Sequence, residues 1–219
     1  MGSVIKRKGT IWIIAGLLLL MAALSLTGYN VWTEHTAGIQ ADEVVNRLAE
    51  IIPEEIHSAP SVSEISNPEI EYPYYVLNPD MDMPVEEIDG ARYIGLLNIP
   101  RLSMELPIQS EWSYPNMKVS PCRYEGSVYL NNMVICGHNY STHFGTLKDL
   151  EKGDLLTFTD MDGNVFWYQV MVIEILQPTA VEEMVSGDWD LTLFTCTIGG
   201  ATRVTIRCEK TKDLQNMLH

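Results

Sequence analysis

The stretch LTLFTCTIGGATRVTIRCE, residues 191–209, decides how the rest of the chain reads. Apolar and polar residues alternate on both sides of TIGGAT, residues 197–202, the pattern of two half-buried strands joined by a reversal. Gly199 and Gly200 supply the positive φ angles that a tight turn needs. With that loop, Cys196 pairs with Arg203 across the ladder. Thr192, Phe194, Cys196, Arg203, Thr205 and Arg207 then share one face, and Leu191, Leu193, Val204, Ile206 and Cys208 the other. The second face is apolar and predicts core. The first sets a thiol beside a guanidinium, whose charge favours the reactive thiolate.

Outward from the hairpin, residues 91–210 read as strands. YIGLLNIP, LSMELPIQ, NMVICGH, DLLTFTD, NVFWYQVMVIEIL, DLTLFTC and RVTIRCE are rich in β-branched and aromatic residues and are separated by turns such as KGD and DMDGN. Short strands with little helical periodicity between them predict an all-β barrel or sandwich. DMDGN, residues 160–164, begins like a calcium loop, but the twelfth position is Met171 where a bidentate glutamate is required, so it reads as a hairpin turn. Cys136 and His138 have no second ligand pair for zinc, and neither a metal nor a cofactor is expected.

His138 ends the strand NMVICGH directly after Gly137, at a rim where functional side chains collect. His143 falls in the following loop and His219 at the last position, and both read as solvated. A cysteine, a histidine and an arginine at strand ends suit covalent acyl transfer: the thiolate attacks a carbonyl, the imidazole moves protons and the guanidinium stabilises the oxyanion. Of the other cysteines, Cys136 and Cys208 read as buried free thiols, with Cys122 open between a free thiol and a disulfide.

Residues 11–29, IWIIAGLLLLMAALSLTGY, are uncharged and long enough to cross a bilayer of roughly 30 Å. Lys6, Arg7 and Lys8 precede them, in a basic tail of residues 1–10 that the positive-inside rule puts in the cytoplasm. A cleaved signal peptide has an apolar region of only about 7–15 residues and a small-x-small site, so an uncleaved anchor is expected. Residues 30–90 read as a stalk outside the membrane, partly docked on the domain. It is helical through Val44, Val45, Leu48, Ile51 and Ile52 up to Pro53, then extended and rich in proline and acid. Within it, residues 78–84, NPDMDMP, either pack on the domain or cover its cleft as a lid. The net charge of −15 argues against nucleic acid as a partner.

TLFTC followed by an arginine opening the next strand resembles the signature of the sortases. ICGHNYSTHFGTLKDL resembles their catalytic-histidine segment, and YIGLLNIPRLSMELPI resembles the first strands of their barrel. The resemblance spans roughly residues 91–209. It implies an eight-stranded β-barrel behind one transmembrane helix, with a tail over residues 211–219, on the outer face of a Gram-positive-type cell membrane. It also implies a cysteine transpeptidase that cuts a Leu-Pro-x-Thr-Gly-like signal on surface proteins, holds them as a thioester and passes them to an amine of a cell-wall precursor or a pilin. By position Cys196 is then the nucleophile, His138 the acid/base and Arg203 the stabilising cation. Arg207 is the alternative arginine, and Thr195, Asn139 and Arg207 are candidates for binding substrate. A cell-wall cysteine peptidase or amidase, transferring to water, is the alternative. The histidine segment leans toward class B, the short run after Pro178 argues against a full class B architecture, and the absence of an apolar span after Arg207 disfavours the pilin-polymerising class.

Overall fold

The computed structural model describes residues 3–53, 57–58 and 73–211. The end of the C-terminal tail with His219, and residues 54–56 and 59–72 of the proline-rich stalk, lie outside the described residues. The chain forms two compact units, one up to Thr36 and one from Ala37 on. The first is the N-terminal part of a helix, α1, Ser3–Ile51. Ile11, Trp12, Leu17, Leu19 and Leu24 are exposed around it, and by length and composition it is apolar enough to cross a membrane.

In the second unit, the last turns of α1 lie on the domain with Ala37, Ala41, Val44 and Leu48 buried, at spacings of four, three and four that mark one helical stripe. This stripe begins further upstream, on smaller residues, than the apolar pattern predicted. Ile51, read from the sequence as helical together with Val44 and Leu48, is exposed. A two-residue strand β1, His57–Ser58, and a short helix α2, Tyr74–Leu77, follow. Tyr75 stacks on Tyr129, Met83 enters the core and Met81 packs against it, so this segment is held to the barrel by its aromatic and thioether groups.

The remaining strands are β2, Glu86–Ile88; β3, Ala91–Ile99; β4, Met104–Gln109; β5, Cys122–Glu125; β6, Met133–Gly137; β7, Leu155–Asp160; β8, Asn164–Leu176; β9, Leu191–Cys196; and β10, Arg203–Lys210. Short helices α3, Tyr114–Met117, and α4, Val181–Val185, sit in the connections. Strands β3 to β10 close on themselves in the order β8, β10, β9, β6, β5, β4, β3, β7 and back to β8. This is the eight-stranded barrel expected, with β1 and β2 added at its edges. The description all-β fits the barrel, whereas α1 alone takes 49 residues. Closure leaves no free edge in the ring and encloses Ile94, Leu97, Ile108, Ile135, Phe158, Phe166, Leu193 and Ile206.

At the β7–β8 reversal DMDGN is a hairpin turn built around Asp160. Its buried carboxylate accepts from the Tyr129 hydroxyl at 2.7 Å, from the Asn164 side chain at 2.9 Å and from the backbone N–H groups of Asp162 and Asn164. Burial pushes its pKa up, and the bonds from Asn164 and Tyr129 pull it back. Removing the carboxylate strands four donors, two of them on buried side chains. Asp160→Ala is therefore expected to cost about 2–4 kcal/mol in denaturant unfolding; a loss under about 0.5 kcal/mol, the size of an ordinary surface substitution, would show the turn to be held by other contacts.

Candidate active site

The hairpin register is the one read from the sequence. Cys196 pairs with Arg203, Phe194 with Thr205 and Thr192 with Arg207. Gly199 and Gly200 turn at φ of 81° and 75°, and Thr197 and Thr202 bond to each other across the base of the loop. Leu191, Leu193, Val204, Ile206 and Cys208 face the core, so Cys196 and Phe194 stand on the outer wall.

On its other side β9 pairs in parallel with β6, Cys136 opposite Phe194 and Gly137 opposite Thr195. His138 and Cys196 are each the next residue after that last pair. His138, Cys196 and Arg203 thus stand in one row at the ends of three adjacent strands. Nothing in the spacing of 58 residues revealed this pairing, because parallel strands need a long connection that carries no register signal. Thr195 donates its hydroxyl to the Gly137 carbonyl at 2.9 Å and locks the two strands one residue short of the histidine and the thiol.

The cysteines separate by burial. Cys122, Cys136 and Cys208 are 0%, 3% and 0% exposed, while Cys196 is partly exposed, and all four are free thiols. Burial pushes the Cys122 thiol up to about 12 and raises Cys136 and Cys208 strongly, keeping these three protonated and inert. His138 is shifted the other way: burial, with the Lys118 ammonium adding to it, lowers its pKa and holds the imidazole neutral. Its ring stacks on Tyr140 with centroids 4.7 Å apart, and Tyr140 leans on His143 at 5.5 Å. His143 is fully buried, not solvated as the sequence suggested, with its ring against Tyr140 in a loop that folds on itself.

The two arginines divide. Arg203 is partly exposed, and its Nη1 donates to the carbonyls of Gly200 and Thr202, both at 3.1 Å, which props the guanidinium beside the hairpin loop. Arg207 is 3% exposed and committed within the protein. It donates to the Glu174 carboxylate at 2.8 Å, to the Thr192 hydroxyl at 3.1 Å and to the carbonyls of Met184 and Glu183 in the last turn of α4. It satisfies helix-end acceptors that have no partner within the helix. Arg207 and Thr195, expected on substrate, are thus both turned to holding the fold; Asn139 is partly exposed directly after His138.

An aromatic row runs along the outer wall to the thiol, and the sequence reading missed it. Tyr114 meets Trp112 at 5.9 Å, Trp112 meets Tyr124 at 5.5 Å and Tyr124 meets Phe194 at 5.4 Å, two residues before Cys196. Glu111, Trp112, Arg123, Tyr124 and Glu125 line a cleft of about 420 Å³ beside it. The aromatics of WSY and RY were the available signal, but no period ties them together.

The model of the Sortase domain family matches residues 97–211. Among solved structures, sortase C1 of Streptococcus agalactiae is 26% identical with a TM-score of 0.51, covering 58% of this chain and 72% of that one. A lid mutant of the same enzyme gives 23% and 0.51, covering 59% and 73%. Sortase C of Clostridium perfringens gives 25% and 0.49, covering 64% and 83%. No curated protein sequence matches the chain. These neighbours bear class C names.

Two outcomes follow from this geometry. In an NMR titration His138 is expected to lose its proton below the ordinary imidazole value of about 6.5, and Lys118→Met, by removing a neighbouring positive charge, is expected to raise that pKa. Arg207→Met is expected to destabilise the fold by about 2–3 kcal/mol, because it strands the α4 carbonyls and Glu174; unchanged thermal unfolding would show that these bonds contribute nothing.

Proposed function

Because the chain belongs to the sortase family, whose members are cysteine transpeptidases, we propose that it cuts a Leu-Pro-x-Thr-Gly-like sorting signal through a thioester on Cys196 and transfers the protein to an amine. The observation that carries this reading is the row His138, Cys196, Arg203 across β6, β9 and β10. In the first half-reaction the Cys196 sulfur attacks the carbonyl of the signal threonine. Arg203 stabilises the oxyanion, and His138 gives a proton to the departing glycine amine. In the second, the incoming amine attacks the thioester, His138 takes its proton and the thiolate leaves. His138 held on the neutral side is suited to accept the proton of the thiol or of the amine.

The partners proposed are surface proteins that carry the signal, with a cell-wall precursor or a pilin as acceptor. Asn139, beside His138, and the wall of Phe194, Tyr124 and Trp112 are proposed to contact the peptide. Thr195 and Arg207 act by holding β9, β6 and α4 in place. For location we propose a single-pass anchor over residues 11–29, with the basic tail 1–10 in the cytoplasm and the stalk 30–90 and barrel 91–210 outside. The uncharged run and the basic residues Lys6, Arg7 and Lys8 before it support that orientation.

Intact-protein mass spectrometry with a panel of sorting-signal peptides tests the reading. A peptide-acyl adduct is expected on Cys196, absent in Cys196→Ala and discharged faster by an added amine than by water. Arg203→Ala is expected to slow adduct formation about 100- to 1,000-fold. Discharge at one rate with and without amine would instead identify a cysteine peptidase, and no adduct with any peptide would overturn the assignment.

A further inference from the structure

The loop from His138 to Gly145 is packed tightly on itself and on the end of β6. A Cβ on Gly137 would stand 2.7 Å from the Phe144 ring, and one on Gly145 would stand 2.6 Å from the Asn139 carbonyl oxygen. Phe144 N–H donates to the His138 carbonyl at 3.0 Å, and the N–H groups of His143 and Gly145 donate to the Tyr140 carbonyl at 3.0 and 2.8 Å. Within this knot the rings of His138, Tyr140 and His143 lie against one another. The side away from the barrel meets helix α1. A Cβ on Gly38 would stand 2.8 Å from Cγ2 and 3.1 Å from Cβ of Thr142, closer than two such carbons pack. Ala37 and Ala41, 2% and 1% exposed, flank this contact. A glycine inside a helix is disfavoured relative to alanine, so Gly38 weakens α1 locally while allowing its backbone to reach Thr142.

We propose that the segment of α1 from Ala37 to Leu48 is a positioning element for the histidine loop, with Gly38 the seat on which Thr142 rests. The inference rests on the reading of His138 as the acid/base. With the barrel on one side and the helix on the other, a shift of Thr142 passes through the turn to Tyr140 and so to the stacked imidazole. Misplacement of a reacting group by about 1 Å can cost a hundredfold in rate. Alanine at position 38 drives a methyl group into Thr142, and serine at position 142 removes the methyl group it strikes.

The test uses the full chain in detergent micelles, with the acyl adduct of a Leu-Pro-Glu-Thr-Gly peptide followed by mass spectrometry and the His138 imidazole followed by NMR. Gly38→Ala is expected to slow adduct formation about 10- to 100-fold with KM changed less than about twofold, and to shift the His138 signals. Gly38→Ala with Thr142→Ser is expected to return to within about threefold of the parent rate, while thermal unfolding stays unchanged throughout. Gly38→Ala acylating at the parent rate with unmoved His138 signals overturns the inference, as does a loss that Thr142→Ser fails to relieve. If Gly38→Ala does not fold, Thr142→Gly, which empties the same contact, must slow acylation and move the imidazole signals, and an unchanged rate and spectrum overturn the proposal. A parent chain that forms no adduct speaks against the transpeptidase reading; the imidazole signals of the same variants then decide the positioning role alone.

Discussion

The parallel pairing of β6 with β9 is the constraint on which the rest depends. With the β9–β10 hairpin, which pairs Cys196 with Arg203, it aligns the three rim residues. A slip of β6 against β9 by one residue would turn Ile135 and Leu193 onto opposite faces and carry His138 away from Cys196 at once. Core burial on one face thus enforces the alignment of reactive groups at the strand ends. The bond from the Thr195 hydroxyl to the Gly137 carbonyl adds a polar lock at the last paired position. The threonine faces inward, is almost fully buried and needs that acceptor, so its own desolvation drives the two strands into register.

Both faces of the hairpin are covered over part of its length, and this separates residues that look alike in sequence. At its far end α4 and Glu174 lie over Thr192 and Arg207, which makes Arg207 a structural cation with its donors spent on the protein. At the loop end nothing among the described residues satisfies Arg203 beyond two carbonyls of its own turn, and Cys196 beside it is partly exposed. The same logic sorts the thiols. Three are surrounded by apolar groups that penalise the thiolate, leaving Cys196 as the one at the rim with a cation for a neighbour on the ladder.

The hairpin was legible because its signals are local: strict alternation, two glycines and a six-residue loop determine which residues pair. The apolar helix was legible because 19 uncharged residues in a row have few other uses. The strand β5 was not, since CRYE is short, carries two charges and bulges at Tyr124 between its pairs with Ile135 and Val134. The docked stripe of α1 was not legible, because it begins at Ala37 and Ala41, which carry little hydrophobic signal, while the conspicuous Ile51 is exposed. His143 was misread for a related reason: a polar loop with a histidine, SerThrHis, reads as solvated, because sequence does not show the loop folding on itself to bury the ring.

The histidine is therefore held by three unlike devices. The β6–β9 register sets where its Cα lies, the glycines at 137 and 145 let the loop fold onto itself, and the stack with Tyr140 fixes the plane of its ring. Burial lowers its basicity, which leaves the ring neutral at rest and makes its protonated form the stronger acid toward a leaving amine. Charge tuning of the imidazole and close packing of the loop that carries it are in this fold two aspects of one arrangement, because the same exclusion of water that disfavours the imidazolium also removes the slack that would let the ring move.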